Sequence, residues 1–367
     1  MQSLQPRLSM SRVMAVVIAL VMAVLALTAA NSAKASASTA DGTTPTGEPA
    51  QADSRPADPV FSFAVLPDTQ QEVLQADDDR FLQRTQWLAS ERKRLDLRFV
   101  LHSGDVTNWG WLTPSQYTVA SAAMKPLEEA KIPYALSIGN HDTRAVGWNG
   151  AGGYGGDAYV KNPECLQRFS PAECDTKKLV RHTEEWNAVF PPSRISALGG
   201  TFEAGKSDNM FTTYQAGGKK WLVLTLELWP RPEAVAWARQ VVEAHPDSNV
   251  IVQTHSYLTA SGSIEPTNGG YGSTSGQYLY DNLIKLYPNI KLVFSGHVGT
   301  AAHRTDVGVH GNVIHSFLEC FHSNTTNPVR LVEINTRRNT LETRIYGPST
   351  DESFPEFSVS LSGLNLV

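Results

Sequence analysis

Short apolar runs, separated by polar and glycine-containing stretches, set the rhythm of this chain from residue 60 onward. Phe61 to Leu66 is almost entirely aromatic, branched or small, and Pro67 ends it, which predicts a buried strand. Arg98 to His102, Pro133 to Ile138, Trp221 to Leu226, Val250 to Gln253 and Ile290 to Phe294 repeat that pattern. Between them the apolar spacing widens to that of helices. Phe81, Thr85, Leu88 and Leu95 mark one helical face, Glu233 to His245 a second helix opened by Pro232, and Gln277 to Tyr287 a third stopped by Pro288. Near the end, "VRLVEI" and "TLETRIY" flank Asn335 to Asn339 and read as a hairpin. Strands alternating with helices predict an α/β architecture. Residues 60–347 read as one domain of catalytic size, and residues 348–367 as a C-terminal tail.

The N-terminal region follows a different pattern. Arg7 and Arg12 precede an uncharged apolar run from Val13 to Ala30, and Ala33-Lys34-Ala35 offers small residues at the positions a signal peptidase reads. This predicts a signal peptide over residues 1–35, in preference to a retained membrane anchor. Residues 36–59, rich in Ser, Thr, Ala, Asp and Pro, read as a disordered linker. The remainder is expected to be secreted or extracytoplasmic, with no stable membrane anchor after cleavage.

Composition narrows the picture further. With 367 residues, 41% hydrophobic and 18% charged, the chain is a globular protein able to bury a sizeable core. A formal net charge of -5 gives no general basic surface for nucleic acid or anionic membranes. The 3 cysteines exclude a cysteine-rich zinc module. In an oxidising compartment Cys165 and Cys174, which flank a short polar stretch, are expected to pair. Cys320 follows the apolar run Val313 to Leu318 and reads as a buried small hydrophobe. No Gly-x-Ser-x-Gly elbow and no Gly-x-x-x-x-Gly-Lys loop occurs, so serine hydrolase and nucleotide-driven chemistry lack support.

The polar residues now take their places. The first strand runs into Asp68 and Gln70, the second into "HSGDVTN" with Asp105, and the third into "SIGNHDT" with Asn140, His141 and Asp142. Val250 to Gln253 runs into His255, and Ile290 to Phe294 into His297. Sites in open α/β sheets form outside the carboxyl ends of the strands. Any one of these residues also suits a cap, a turn or a satisfied polar group, but five strands ending alike point to a shared pocket. Carboxylates, an amide oxygen and imidazoles converging there suit divalent metals.

The order Asp-x-Gln, Gly-Asp, Gly-Asn-His-Asp, a lone His and then Gly-His resembles the calcineurin-like metallophosphoesterases, with "GNHD" as the most specific element. The resemblance spans Asp68 to His297. It implies two packed mixed β-sheets flanked by helices, with a dinuclear centre of Mn, Fe, Zn, Mg or Ca at the strand ends. By similarity Asp105 bridges two ions, Asn140, His255 and His297 complete one site, and Asp68 anchors the other with Gln70. His141 then protonates or stabilises the leaving group, held in place by Asp142. The activity implied is hydrolysis of a phosphomonoester or phosphodiester, in a phosphorylated small molecule or a cell-envelope component.

Two positions depart from the family pattern, both at the Asp68 ion. Gln70 stands where the family has histidine, and Gly299 replaces the second histidine of Gly-His-x-His. The remaining oxygen ligands predict a looser site leaning toward manganese, magnesium or calcium. His303 either folds back into the vacancy or lies at the surface. The alternative function is a non-catalytic or mononuclear descendant that binds a phosphorylated or glycan ligand. Trp109, Trp111 and the loops "GGYGG" and "GGYGS" either stack on substrate or pack as satellite core. Glu227, also after a strand, is a weak further candidate for the pocket.

Overall fold

The buried runs assemble into two seven-stranded sheets in a computed structural model that describes residues 58–321 and 326–367. The signal peptide, and the linker except for residues 58 and 59, lie outside the described residues. In chain order the first strands are β1 (Val60–Leu66), β2 (Leu97–His102), β3 (Tyr134–Leu136), β4 (Val146–Trp148), β5 (Gly153–Gly155) and β6 (Leu198–Thr201). Then come β7 (Met210–Ala216), β8 (Lys219–Leu226), β9 (Ser248–Thr254), β10 (Ile290–Ser295) and β11 (Ala301–Val307). The last are β12 (Val313–Glu319), β13 (Val329–Asn335), β14 (Thr340–Gly347), β15 (Glu352–Ser353) and β16 (Val359–Ser362). One sheet has the order β15-β14-β13-β1-β2-β3, with β16 also on β14; the other has β11-β12-β10-β9-β8-β7-β6.

Both sheets are mixed. In the first, β1, β2 and β3 run parallel while β13 is antiparallel to β1. In the second, β8, β9, β10 and β12 run parallel, with β7 and β11 antiparallel to their neighbours. Side chains alternate across a strand, so Phe61, Phe63 and Val65 share one face of β1. Phe63 stacks on Phe99 of β2 at 4.8 Å and meets Phe294 of β10 edge-on at 5.6 Å, and Phe294 stacks in turn on Phe317 of β12. The sheets therefore pack through an aromatic seam, and the carboxyl ends of β1, β2, β3, β9 and β10 lie along it.

Helices α1 (Arg80–Glu91) and α2 (Ser115–Glu129) pack on the first sheet, and α3 (Pro232–Ala244) with α4 (Gly276–Asn282) on the second. Sequence periodicity misses α2 because its inner face is built from Tyr117, Ala120, Ala123, Met124 and Leu127, a weak apolar stripe interrupted by Pro126. The helix expected over Gln277 to Tyr287 is shorter than its pattern. Ser275 caps it, but Leu283 leaves helical geometry at φ -142° and only a single 3-10 turn, Ile284–Leu286, follows. Asn282 contributes by turning its amide back to the Tyr278 carbonyl.

The last twenty residues return to the fold. Strand β16 pairs with β14, Leu364 is buried, and the Val367 amide donates to Asn249 of β9. The expected bond between Cys165 and Cys174 is present, in a small subdomain packed around Tyr159, Leu179 and Val180 against Trp229 and Tyr271. Among the described residues no helix is long and apolar enough to cross a membrane.

Candidate metal centre

Each strand of the seam stops in a sharp turn that presents a polar side chain. Asp105 and His297 hold left-handed backbone at φ 50° and 77°, a strained geometry for residues with a Cβ. Gly139 is required where it stands, because a Cβ there would collide with the Asp105 carboxylate.

Three ligand-type groups come together. His255 Nε2 lies 3.1 Å from Asp105 Oδ2 and 3.2 Å from His297 Nδ1, and the three residues offer donor atoms within 4.8 Å of one another. Two atoms bound to one tetrahedral zinc-like ion at about 2.0–2.1 Å are themselves roughly 3.3 Å apart, so this spacing suits a shared cation. His255 Nδ1 sits 2.9 Å from the Ser103 carbonyl. Nδ1 donates its proton to that carbonyl, which leaves Nε2 as the ring atom that faces Asp105 and any entering cation. Burial acts against protonation of His255, but the Asp105 and Asp68 carboxylates push its pKa up to about 9. Asp105 is held well below the usual carboxylate range: burial opposes this, and the His255 and His141 rings outweigh it.

Amide oxygens complete the picture. Asn140 donates through Nδ2 to the Tyr271 hydroxyl at 3.2 Å, while its buried Oδ1 has no hydrogen-bond partner among the described residues. Gln70 donates through Nε2 to Asp105 Oδ2 at 3.3 Å, and its buried Oε1 likewise has no partner among the described residues. Buried acceptors left unmade cost free energy, and a cation among these oxygens would satisfy both. The donor set therefore fits a divalent metal. Asp68 lies alongside, accepting from the His297 amide at 3.1 Å, the Ser103 hydroxyl at 3.1 Å and the Cys320 thiol at 3.2 Å.

His141 and Asp142 behave differently from expectation. The His141 ring is held by Asn108, not by Asp142: its Nδ1 is 2.8 Å from the Asn108 carbonyl and 2.7 Å from Asn108 Oδ1. Asp142 is buried and accepts the amides of Val106, Thr107 and Gly139, together with the Thr107 hydroxyl. A carboxylate so occupied with backbone ties the Asp105 turn to the Asn140 turn and is turned away from the imidazole. Burial and the neighbouring Asp105 raise its pKa to about 7.

Other expectations sort cleanly. His303 lies on β11 against the rings of His315 and Phe317 and does not complete the Asp68 site. Gly299 has φ 68°, and a Cβ there would stand 2.8 Å from Ala260, so this backbone rejects the family's histidine. Glu227 is paired with Arg231 and Arg181 and accepts from Asn209, a buried structural network. Trp111 packs on Phe169 and donates to the Val146 carbonyl, as satellite core. Trp109 stacks on the partly exposed Trp148. Tyr271, from "GGYGS", stacks on Trp229 and orients Asn140.

Sequence reasoning missed four supporting residues. Ser103 and Asn108 lie in "HSGDVTN", where the strand-end pattern marks Asp105. His102 is buried with Nδ1 accepting the Gly104 amide and Nε2 against the Thr69 hydroxyl, bracing the first two turns. Cys320 contacts a carboxylate where an inert core position was expected.

Comparison with known proteins agrees with this geometry. The sequence profile described as calcineurin-like phosphoesterase matches residues 61–300. The chain is 24% identical over 251 residues to a Bacillus subtilis (strain 168) protein, "Uncharacterized protein YvnB". That match takes in 68% of this chain and 16% of YvnB, so the chain spans about a sixth of that relative's length. A dimetal phosphatase from Danio rerio shares the fold with a TM-score of 0.50 and 12% identity, covering 83% of this chain and 99% of that one. A purple acid phosphatase from yellow lupin (Lupinus luteus) gives 0.49 and 15%, covering 83% and 54%. Two mixed sheets with helices outside, a ligand-bearing turn at the end of each seam strand, and a profile match over well over half its length place this chain in the calcineurin-like phosphoesterase family.

Proposed function

We propose that this chain is an exported, metal-dependent hydrolase of phosphoester bonds with a dinuclear centre. One observation carries the reading: Asp105, His255 and His297 cluster at ligand spacing beside two buried amide oxygens that lack partners among the described residues. Asn140, His255 and His297 would hold one ion with Asp105 shared, and Asp68 with Gln70 would hold the second. The chemistry that divalent ions supply at such a centre is Lewis-acid stabilisation of a phosphoryl group and a more acidic water.

The rest is done by the chain. With Nδ1 committed to Asn108, His141 presents Nε2 outward as the atom that delivers a proton to the leaving oxygen. Asn108 fixes the ring, and Tyr271 fixes the face of Asn140. Asp142 keeps the two turns in register without touching substrate.

Export is supported by the basic and apolar leader pattern and by the Cys165–Cys174 bond, which belongs to an oxidising compartment. The substrate is a phosphorylated small molecule or a cell-envelope phosphoester. The competing reading, a mononuclear binding protein, draws on Gln70 and on the closed Gly299 position. Metal analysis of the purified chain, paired with aryl phosphomonoester and phosphodiester substrates, tests the two. Two equivalents with turnover is the expected result. One equivalent with no hydrolysis of either class sinks the enzyme reading in favour of the binding protein.

A further inference from the structure

We propose that Cys320 is a ligand of the Asp68 ion and takes the place of the imidazoles that Gln70 and Gly299 do not supply. This inference rests on the metal-centre reading above and deepens it. The thiol Sγ is fully buried and lies 3.2 Å from Asp68 Oδ2. A carboxylate oxygen at roughly 2.0–2.2 Å and a thiolate sulfur at about 2.3 Å from one ion stand about 3–3.6 Å apart. The pair is already spaced to share a cation.

Strand register explains how the thiol arrives there. Strands β10 and β12 are parallel, with Ser295 opposite Leu318. His297 and Cys320 each follow two residues later, so they reach the carboxyl edge at the same level. The Cys320 amide donates to the Thr300 carbonyl, and the next residue, Phe321, turns the chain away at φ 57°. Asp105 and His297 also sit in left-handed turns just past a strand end. Cys320 is thus a sixth strand-end residue of the set, on the one seam strand that sequence patterning left without a ligand.

A second observation points to a ligand at this end of the centre. Gln70, from the same turn as Asp68, holds a buried Oε1 with no hydrogen-bond partner among the described residues. Asp68 carboxylate, Gln70 carbonyl oxygen and Cys320 sulfur would then form a mixed oxygen and sulfur set around the second ion, with Asp105 shared. On binding, the thiol proton leaves to solvent and the sulfur pair goes to the metal. This reverses the expectation of a hard-ion site: thiolate selects zinc-like, ferrous or cobaltous ions over magnesium and calcium.

The chain suits a direct test, because Cys165 and Cys174 are bonded to each other and Cys320 is the cysteine outside that disulfide. The chelator-stripped full-length protein is titrated with cobalt(II) and followed by absorbance and equilibrium dialysis. Ligation predicts an intense near-ultraviolet sulfur-to-cobalt band that is absent from Cys320→Ala and Cys320→Ser. It also predicts that one of two equivalents binds at least about tenfold more weakly in both variants. Two equivalents bound to the wild type with no such band would overturn the thiol ligand and leave the phosphoesterase reading standing. Failure of the wild type to bind cobalt or zinc at all would overturn both. The wild-type spectrum decides the matter even if a variant folds poorly.

Discussion

The imidazole of His141 is fastened by Asn108, whose carbonyl and side-chain oxygens stand 2.8 and 2.7 Å from Nδ1. Asn108 lies three residues beyond Asp105, so a single turn both supplies the proposed shared carboxylate and aims the proposed acid. Asn108→Ala should therefore slow hydrolysis while leaving metal content unchanged. His141→Ala should lose about 10²- to 10⁴-fold in kcat, the usual contribution of a general acid, and Asn108→Ala a smaller part of it. The check is leaving-group dependence: both losses should grow as the leaving alcohol becomes more basic. Equal losses for nitrophenyl and alkyl esters would remove the proton-delivery role.

Asp142 should separate from His141 in the same assays. Its carboxylate accepts three backbone amides in the interior, and truncation strands them. Asp142→Ala is expected to cost on the order of 3 kcal/mol of stability, whereas His141→Ala, at a part-buried surface position, should melt near the wild-type temperature. Thermal denaturation of the two variants side by side makes the comparison. A wild-type melting temperature for Asp142→Ala would show that the amide contacts contribute little.

How much of this was legible in the sequence depends on how each residue is delivered. Asp68, Asp105, Asn140, His255 and His297 were readable because each follows a short apolar strand with a proline, glycine or serine at the turn. Gln70 and Gly299 were readable as departures only through the family order. Cys320 was not, because β12 carries His315, Ser316 and Glu319 among its apolar residues and blurs the strand signal. Its position beside Asp68 depends on the parallel pairing with β10, a contact between segments separated along the chain by β11 that no local pattern encodes. Tyr271 was likewise visible only as a loop aromatic, since its bond to Asn140 joins residues 131 apart. Helix α2 was hidden by its alanine-rich inner face, and the residues read as a C-terminal tail carry β16, whose pairing with β14 is a long-range contact.

Metal affinity should rise with pH. In the metal-free site His255 has its pKa pushed up to about 9 by Asp105 and Asp68 against the effect of burial. Below that value the ring holds a proton that an entering ion must displace. Affinity should weaken by about tenfold per pH unit on the acid side while one proton is exchanged. Zinc competition titrations at several pH values, with proton release measured in parallel, read this directly. His255→Ala should lower metal content and flatten the dependence, and a steep slope surviving in that variant would assign the proton to another group.

Acid sensitivity of the fold should trace in part to His315. Burial is the main cause that lowers its pKa from 6.5 to about 4, with His303 adding to the effect. The unfolded chain binds a proton at this residue below about 6.5, while the folded chain resists it until about 4. The unfolded state therefore holds more protons across that window, so stability rises with pH there. The contribution is fully present above about pH 6.5 and is lost progressively as pH falls toward 4. Glu319, pushed up to about 7 mainly by burial, acts in the opposite sense, favouring the fold as pH falls from about 7 toward 4.5. The net acid limb is thus a difference, and wild type alone does not isolate the histidine. Comparing melting temperatures of wild type and His315→Gln at pH 7 and pH 5 does. The variant's drop between the two pH values should be smaller than the wild type's, because an amide cannot take up the proton. An equal drop in both proteins would show that His315 titrates alike in the folded and unfolded chain.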